Sequence, residues 1–292
     1  MSAILYFIAL PFIYLLSLLP FRLLYLISSV LCFFLYRVVG YRKKVVRNNL
    51  ENSFPHYSKN HRSKIEVKFY KYFCDLILES FTTLTISKRS LKKKVKFTGN
   101  KVFKKYLEQD RSVVIVMGHL GNWELAGARF ALEDIHQLYV IYHPLQNKYF
   151  DRLVYYMRTR LGNRLYAMND TVRGMIRDRK ELNATAFIAD QTPAPEGAYW
   201  TTFLNQETPV FVGTAKLAKK LNYPVVYVSV KRPLRGRYEM SAEVLIEDPS
   251  SFSENEISEI HTKRLERDIL ENPHTWLWSH KRWKHKKSRS IA

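Results

Sequence analysis

Two cysteines are all this 292-residue chain contains. Cys32 lies in an apolar stretch and Cys74 in a helical pattern, with no CxxC pair and no His/Cys grouping at metal-ligand spacing. Both read as reduced, buried, small apolar residues, so neither a disulfide scaffold nor a zinc site is indicated. GxSxG is missing, which removes the serine elbow, and GxxxxGK[ST] is missing, which removes the phosphate loop. No basic residue precedes the first apolar run and no small-residue cleavage site follows it, which argues against a removable signal peptide. Acidic residues are scarce: 26 Asp plus Glu stand against 47 Lys plus Arg, a formal charge of +21 spread through the chain. Such a surface seeks anions, whether nucleic acid, anionic lipid headgroups or an acidic protein.

Long apolar runs are present, and they come first. From Ala3 to Leu19 nothing is charged, Arg22 stands alone, and Leu23 to Tyr36 is apolar again. That is long enough to cross a bilayer despite Pro11 and Pro20. The basic cluster "RVVGYRKKVVR" follows directly, and by the positive-inside rule it keeps the remainder in the cytoplasm. Residues 1–36 are therefore expected to anchor the chain in a membrane, with residues 37–292 on its cytoplasmic face. The alternative is a buried helical hairpin with Arg22 at its turn.

After the anchor, an amphipathic pattern runs from about Lys64 to Leu84. Val95 and Phe97 suit a short edge strand. From Ser112 onward short apolar runs alternate with amphipathic segments: "SVVIVM", "NWELAGARFAL", "QLYVIY", a helix near Tyr149 to Leu161, a helix near Thr171 to Arg179, "ATAFIAD", a helix near Gly213 to Leu221, and "PVVYVSV". Strands spaced by helices of this length predict an α/β fold with a mixed, partly parallel central sheet flanked by helices. No repeat or low-complexity linker marks a further domain. "ENEISEIHTKRLERDILENP" forms a last helix, and the basic, aromatic ending "WLWSHKRWKHKKSR" reads as a solvated or membrane-facing surface.

The stretch "VMGHLGNWELAG" carries the chemistry. "VVIVM" is a buried strand and Asn122 a good N-cap for the helix opening at Trp123. His119 then lies on the strand-to-helix turn and Glu124 in the first helical turn, where the two can converge. The pattern leaves two readings open, a capped helix start and a catalytic pair, since Glu in a first turn is favoured by the macrodipole in any case. In the catalytic reading neutral His119 takes a proton from an attacking alcohol, and Glu124 holds the imidazole in the right tautomer. With no enzyme nucleophile in evidence, the substrate supplies the hydroxyl.

"GHLGNWE" resembles the HxxxxD/E signature of the glycerolipid and lysophospholipid acyltransferase superfamily, in particular its lipid A late acyltransferase branch. "YRKKVVRNNLENSFP", "YHPLQNKYFDRLVYYMRTRLG", "IADQTP", "TPVFVGTAKLAKKLNYPVV" and "WLWSHKRWK" follow in the order of that branch. The resemblance implies an acyltransferase moving a fatty acyl group from acyl carrier protein to a hydroxyl of a lipid A precursor at the inner membrane. It implies no cofactor, no metal and no nucleic acid partner. His119 is then the general base and Glu124 its partner. Asn122, Arg158, Arg160, Asp190, Gln191, His280 and Arg282 are expected to contact substrate, with Asp190 more a positioning group than a second base. "QTPAPEGAYWTTFLNQET" departs from the branch's glycine-rich loop, and Lys281 and Trp283 from its terminal arginine and phenylalanine. These changes leave an ornithine-type lipid or another lysolipid open as acceptor, and acyl-CoA as donor. A non-enzymatic binder of anionic lipid or nucleic acid, through "KKKVK" and "KRWKHKKSR", is the alternative of another class.

Overall fold

The computed structural model describes residues 2–287. The last two residues of the basic run "KRWKHKKSR", Ser288 and Arg289, lie outside them.

The apolar start folds as two helices, α1 (Ser2–Leu18) and α2 (Phe21–Phe33), separated at Pro20. A π-helical turn, Phe34–Val38, prolongs α2, and Phe21–Val38 is long and apolar enough to cross a membrane by length and composition. Next come α3 (Lys43–Ser53) and the long α4 (Lys59–Phe81), whose N-cap Ser58 accepts a hydrogen bond from the His61 N–H. One side of α2 is tied to α4, Ser28 Oγ donating to Asp75 at 2.6 Å and Tyr25 Oη to Glu79 at 2.7 Å. The other side, with Leu26, Val30 and Phe33, is open to the surroundings. α1 packs on α4 and the turn that follows it rather than on α2, so the two helices do not make the buried hairpin of the alternative reading.

The α/β part follows as α5 (Lys88–Lys94), β1 (Val95–Phe97), α6 (Asn100–Glu108), β2 (Val113–Met117), α7 (Trp123–Phe130), β3 (Gln137–Tyr142), α8 (Lys148–Thr159), β4 (Arg164–Ala167), α9 (Thr171–Arg177) and β5 (Asn183–Ile188). A hairpin of β6 (Tyr199–Phe203) and β7 (Gln206–Val210) leads to α10 (Gly213–Leu221), β8 (Val225–Leu234), β9 (Arg237–Ile246) and α11 (Glu254–Glu271). The seven-stranded sheet has the order β1-β9-β8-β2-β5-β3-β4, parallel from β8 to β4 and antiparallel between β8 and β9. Both faces are covered, so the central strands read as unbroken apolar runs such as "VVIVM".

This topology determines where the site can be. From β2 the chain leaves through α7 toward β3 on one side, while from β5 it leaves through α10 toward β8 on the other. The carboxyl ends of the adjacent strands β2 and β5 therefore open a crevice, the place where ligands bind in open α/β sheets.

Two expectations are corrected. "QTPAPEGAYWTTFLNQET", read as a replaced loop, contains the β6–β7 hairpin, its ladder running from Tyr199–Val210 to Phe203–Gln206. The ending "WLWSHKRW" is not a solvated or membrane-facing surface. Trp276, Trp278 and Arg282 are 2%, 0% and 1% exposed, and the segment crosses the sheet's carboxyl end.

Candidate active site

Parallel register places the central pair. Met117 of β2 stands opposite Ile188 of β5, so two residues further along each chain His119 meets Asp190. Asp190 Oδ1 lies 2.6 Å from His119 Nδ1, and Oδ2 accepts both the His119 backbone N–H and the Trp276 indole N–H at 2.8 Å. Burial alone would raise this carboxyl, but the charge and hydrogen bonds of His119, with the Trp276 bond, outweigh it and bring it down to about 2. An ionised Asp190 fixes the proton on Nδ1 and leaves Nε2 as an acceptor. Gln191 Nε2 sits 3.4 Å from that Nε2, and the Trp123 ring packs edge-on against the imidazole at 4.8 Å.

The loop between His119 and α7 is held from several directions. Gly121 adopts φ +63°, and a Cβ there would come within 2.2 Å of the Val230 carbonyl oxygen, so only glycine fits. Its N–H donates to Thr275 O and its carbonyl accepts from Tyr72 Oη, while Leu277 N–H donates to His119 O. Leu120 and Trp276 form an antiparallel bridge. The terminal segment thus clamps the histidine loop from behind. It is itself fastened by Asn49, which donates to Trp278 O and His280 O, and by Arg42, which donates to Ser279 O. Sequence reasoning missed Trp276; the available signal was the alternation of Trp276 and Trp278, the period of an extended segment with one buried side.

Glu124 does not orient the imidazole. No hydrogen bond joins it to His119 among the described residues; it pairs instead with Arg158 of α8, whose Nε and Nη2 donate to its two oxygens at 3.0 and 2.5 Å. The position on Nδ1 expected for Glu124 belongs to Asp190. Four more residues expected at the substrate lie off the wall of the chamber described below. Asn122 is fully buried, its Oδ1 accepting the Leu125 N–H as helix cap and its Nδ2 donating to Glu79 at 2.8 Å. Arg160 donates to the carbonyls of Thr83 and Ile86 and so pins α8 to the end of α4. Arg282 donates to Pro209 O at 2.7 Å, keeps Nε and Nη1 buried without a partner, and is pushed down to about 10 by burial. His280 is half-buried and pushed down to about 4 by burial, with its Nδ1 unpaired.

His119, Glu124, Arg158 and Gln191 do come together, on the wall of one chamber of about 560 Å³. Its interior is apolar. Ile115, Leu138, Ala186, Val228 and Met240 contribute from the sheet, and Ala126, Gly127 and Phe130 from α7, so the space runs back beneath α7 from the histidine. Among the described residues no group of His, Cys, Asp and Glu is arranged to hold a metal ion.

An apolar chamber with an oriented imidazole at its polar end agrees with the relatives of the sequence. The profile of the bacterial lipid A biosynthesis acyltransferase family matches residues 1–285. The chain is 23% identical over 246 residues to the lipid A biosynthesis palmitoleoyltransferase of Escherichia coli K12, covering 83% of this chain and 79% of that one. It is 22% identical over 268 residues to the lauroyltransferase of the same organism, covering 91% and 87%. A lipid A biosynthesis acyltransferase of Haemophilus influenzae is 20% identical over 273 residues, covering 91% and 83%. The chain belongs to the bacterial lipid A biosynthesis acyltransferase family and is an acyltransferase.

Proposed function

We propose that the protein transfers a fatty acyl chain from acyl carrier protein to a hydroxyl of a lipid A precursor at the cytoplasmic face of a bacterial inner membrane, with His119 as general base. One observation carries the reading: an imidazole fixed by a buried carboxylate, opening into an apolar chamber. His119 Nε2 takes the acceptor hydroxyl proton as the oxygen attacks the thioester carbonyl carbon. The tetrahedral intermediate collapses with cleavage of the carbon–sulfur bond, and the proton passes from the imidazolium to the departing thiolate. No acyl group rests on the enzyme. Asp190 keeps Nδ1 protonated and stabilises the imidazolium. Arg158, held charged by Glu124, offers its guanidinium to the developing oxyanion, which makes Glu124 a positioning residue acting through Arg158.

The formal charge of +21 supports an acidic carrier as donor, because complementary charge speeds encounter. The open apolar sides of α1 and α2 support membrane attachment. The test is transfer by the full chain in detergent, with labelled acyl carrier protein and a lipid A precursor. His119→Ala is expected to lose at least ~10²-fold in rate. Undiminished transfer by that variant overturns the reading, and equal use of acyl-CoA names the other donor.

A further inference from the structure

A second cleft, of about 400 Å³, lies between α2, α4 and the β8–β9 turn. Asp75 is buried at its base and binds both Arg232 and Arg235, the latter through Nε at 2.9 Å and Nη2 at 2.7 Å. Arg235 Nη2 also reaches Tyr25 O and Ser29 Oγ on α2, so the turn is tied to that helix. One carboxylate is thus shared by two guanidinium groups, and Arg232 keeps a buried Nε without a partner. Lys68 and Lys71, one helical turn apart on α4, line the same cleft, are exposed, and have no ion-pair partner among the described residues. His274 closes one side, its imidazole pushed down by burial and by the nearby charges of Lys68 and Arg232. Four cations around a single acid leave the cleft strongly positive.

We propose that this cleft binds the phosphate of a lipid headgroup. The cations match an anion with several acceptor oxygens, as a phosphate has. The surroundings match a lipid: the wall made by Ser28, Ser29 and Cys32 is the inner side of α2, whose outer side exposes Leu26, Val30 and Phe33, and Leu234 at the β8–β9 turn is 69% exposed. A phosphate seated among the lysines would therefore have its acyl chains beside open apolar surface. The site is also coupled to the histidine loop, since Arg232 lies over the ring of Tyr72, which donates to Gly121 O. The phosphate has two sources, the membrane's own phospholipid or the acceptor lipid, and two arms separate them.

Both arms compare Lys68→Gln/Lys71→Gln with Lys92→Gln/Lys93→Gln, an equal charge change on exposed lysines of α5. In the first, the full chain is sedimented with vesicles of phosphatidylcholine alone or mixed with phosphatidylglycerol. In the second, transfer is measured in neutral detergent with a phosphorylated acceptor and with the same lipid after phosphatase treatment. The cleft variant is expected to lose about 30-fold in preference for anionic vesicles, or to raise KM about as much for the phosphorylated acceptor only, at unchanged kcat. The arm that responds names the source. The proposal is overturned if the two double variants behave alike in both arms. The vesicle arm reads binding without catalysis, so it stands even if the acyl-transfer reading fails.

Discussion

Replacing Asp190 by asparagine changes one atom and should disable the histidine. The carboxylate accepts three hydrogen bonds, from the His119 backbone N–H, the His119 Nδ1–H and the Trp276 indole. An amide has one accepting oxygen. If that oxygen faces Nδ1, its NH2 is driven against two N–H donors; if it faces the donors, the NH2 meets Nδ1 and forces the proton to Nε2, where no base remains. In either orientation the charge that stabilises the imidazolium is gone. Two unit charges with centres about 4 Å apart are worth ~4 kcal/mol at an effective dielectric of about 20, so the rate should fall by roughly 10³. The assay is single-turnover transfer by Asp190→Asn, beside its melting temperature to separate misfolding from lost chemistry. A folded variant that keeps more than about a tenth of the rate, or a Glu124→Gln variant that loses far more, would refute the His119–Asp190 argument.

Chain-length selection should respond to Gly127, which lines the chamber and whose added Cβ would meet nothing closer than Asn163 Nδ2 at 3.7 Å. Gly127→Leu should displace a few chain methylenes at ~0.8 kcal/mol each, shifting preference toward shorter donors by roughly a hundredfold in competition assays; an unchanged product distribution would contradict this. Acid stability should depend on His261, which is fully buried with Nε2 unpaired and is pushed down to about 4 by burial. Its folded pKa lies below the unfolded value of about 6.5, so the folded state loses up to ~3 kcal/mol as pH falls from about 6.5 to 4. His261→Leu should flatten that slope in melts at pH 5 and 7, and an equally steep slope in the variant would be decisive against it. Asp190, lowered to about 2, contributes in the same direction but only below about pH 4.

The sheet was readable because its strands are buried on both faces: "VVIVM", "QLYVIY" and "PVVYVSV" are apolar runs between helical patterns, and they form β2, β3 and β8. β4 and β9 escaped notice for the converse reason. The sheet ends in β4, and β9 alternates buried and open residues, so neither makes an apolar run. His119 and Glu124 were visible as a local spacing, yet Glu124's partner is Arg158, a pairing between α7 and α8 that spacing cannot show. Asp190 was visible as a strand end; its contact with Nδ1 follows from the register of β2 against β5, a property of strand order. Arg160 and Arg282 were expected at the substrate because they fall in segments that resemble the family's, but Arg160 holds the carbonyls of Thr83 and Ile86, and Arg282 donates to Pro209 O and keeps its other two nitrogens unpaired.

The clamp on the histidine loop also sets a timetable. Gly121, His119 and Asp190 each depend on a contact with residues 275–277, which the ribosome makes long after the apolar helices at the start of the chain. At ordinary elongation rates that interval is on the order of ten seconds. During it the nascent chain has its apolar N-terminal helices, but no oriented imidazole. The imidazole is therefore oriented only after α1 and α2 have long been made.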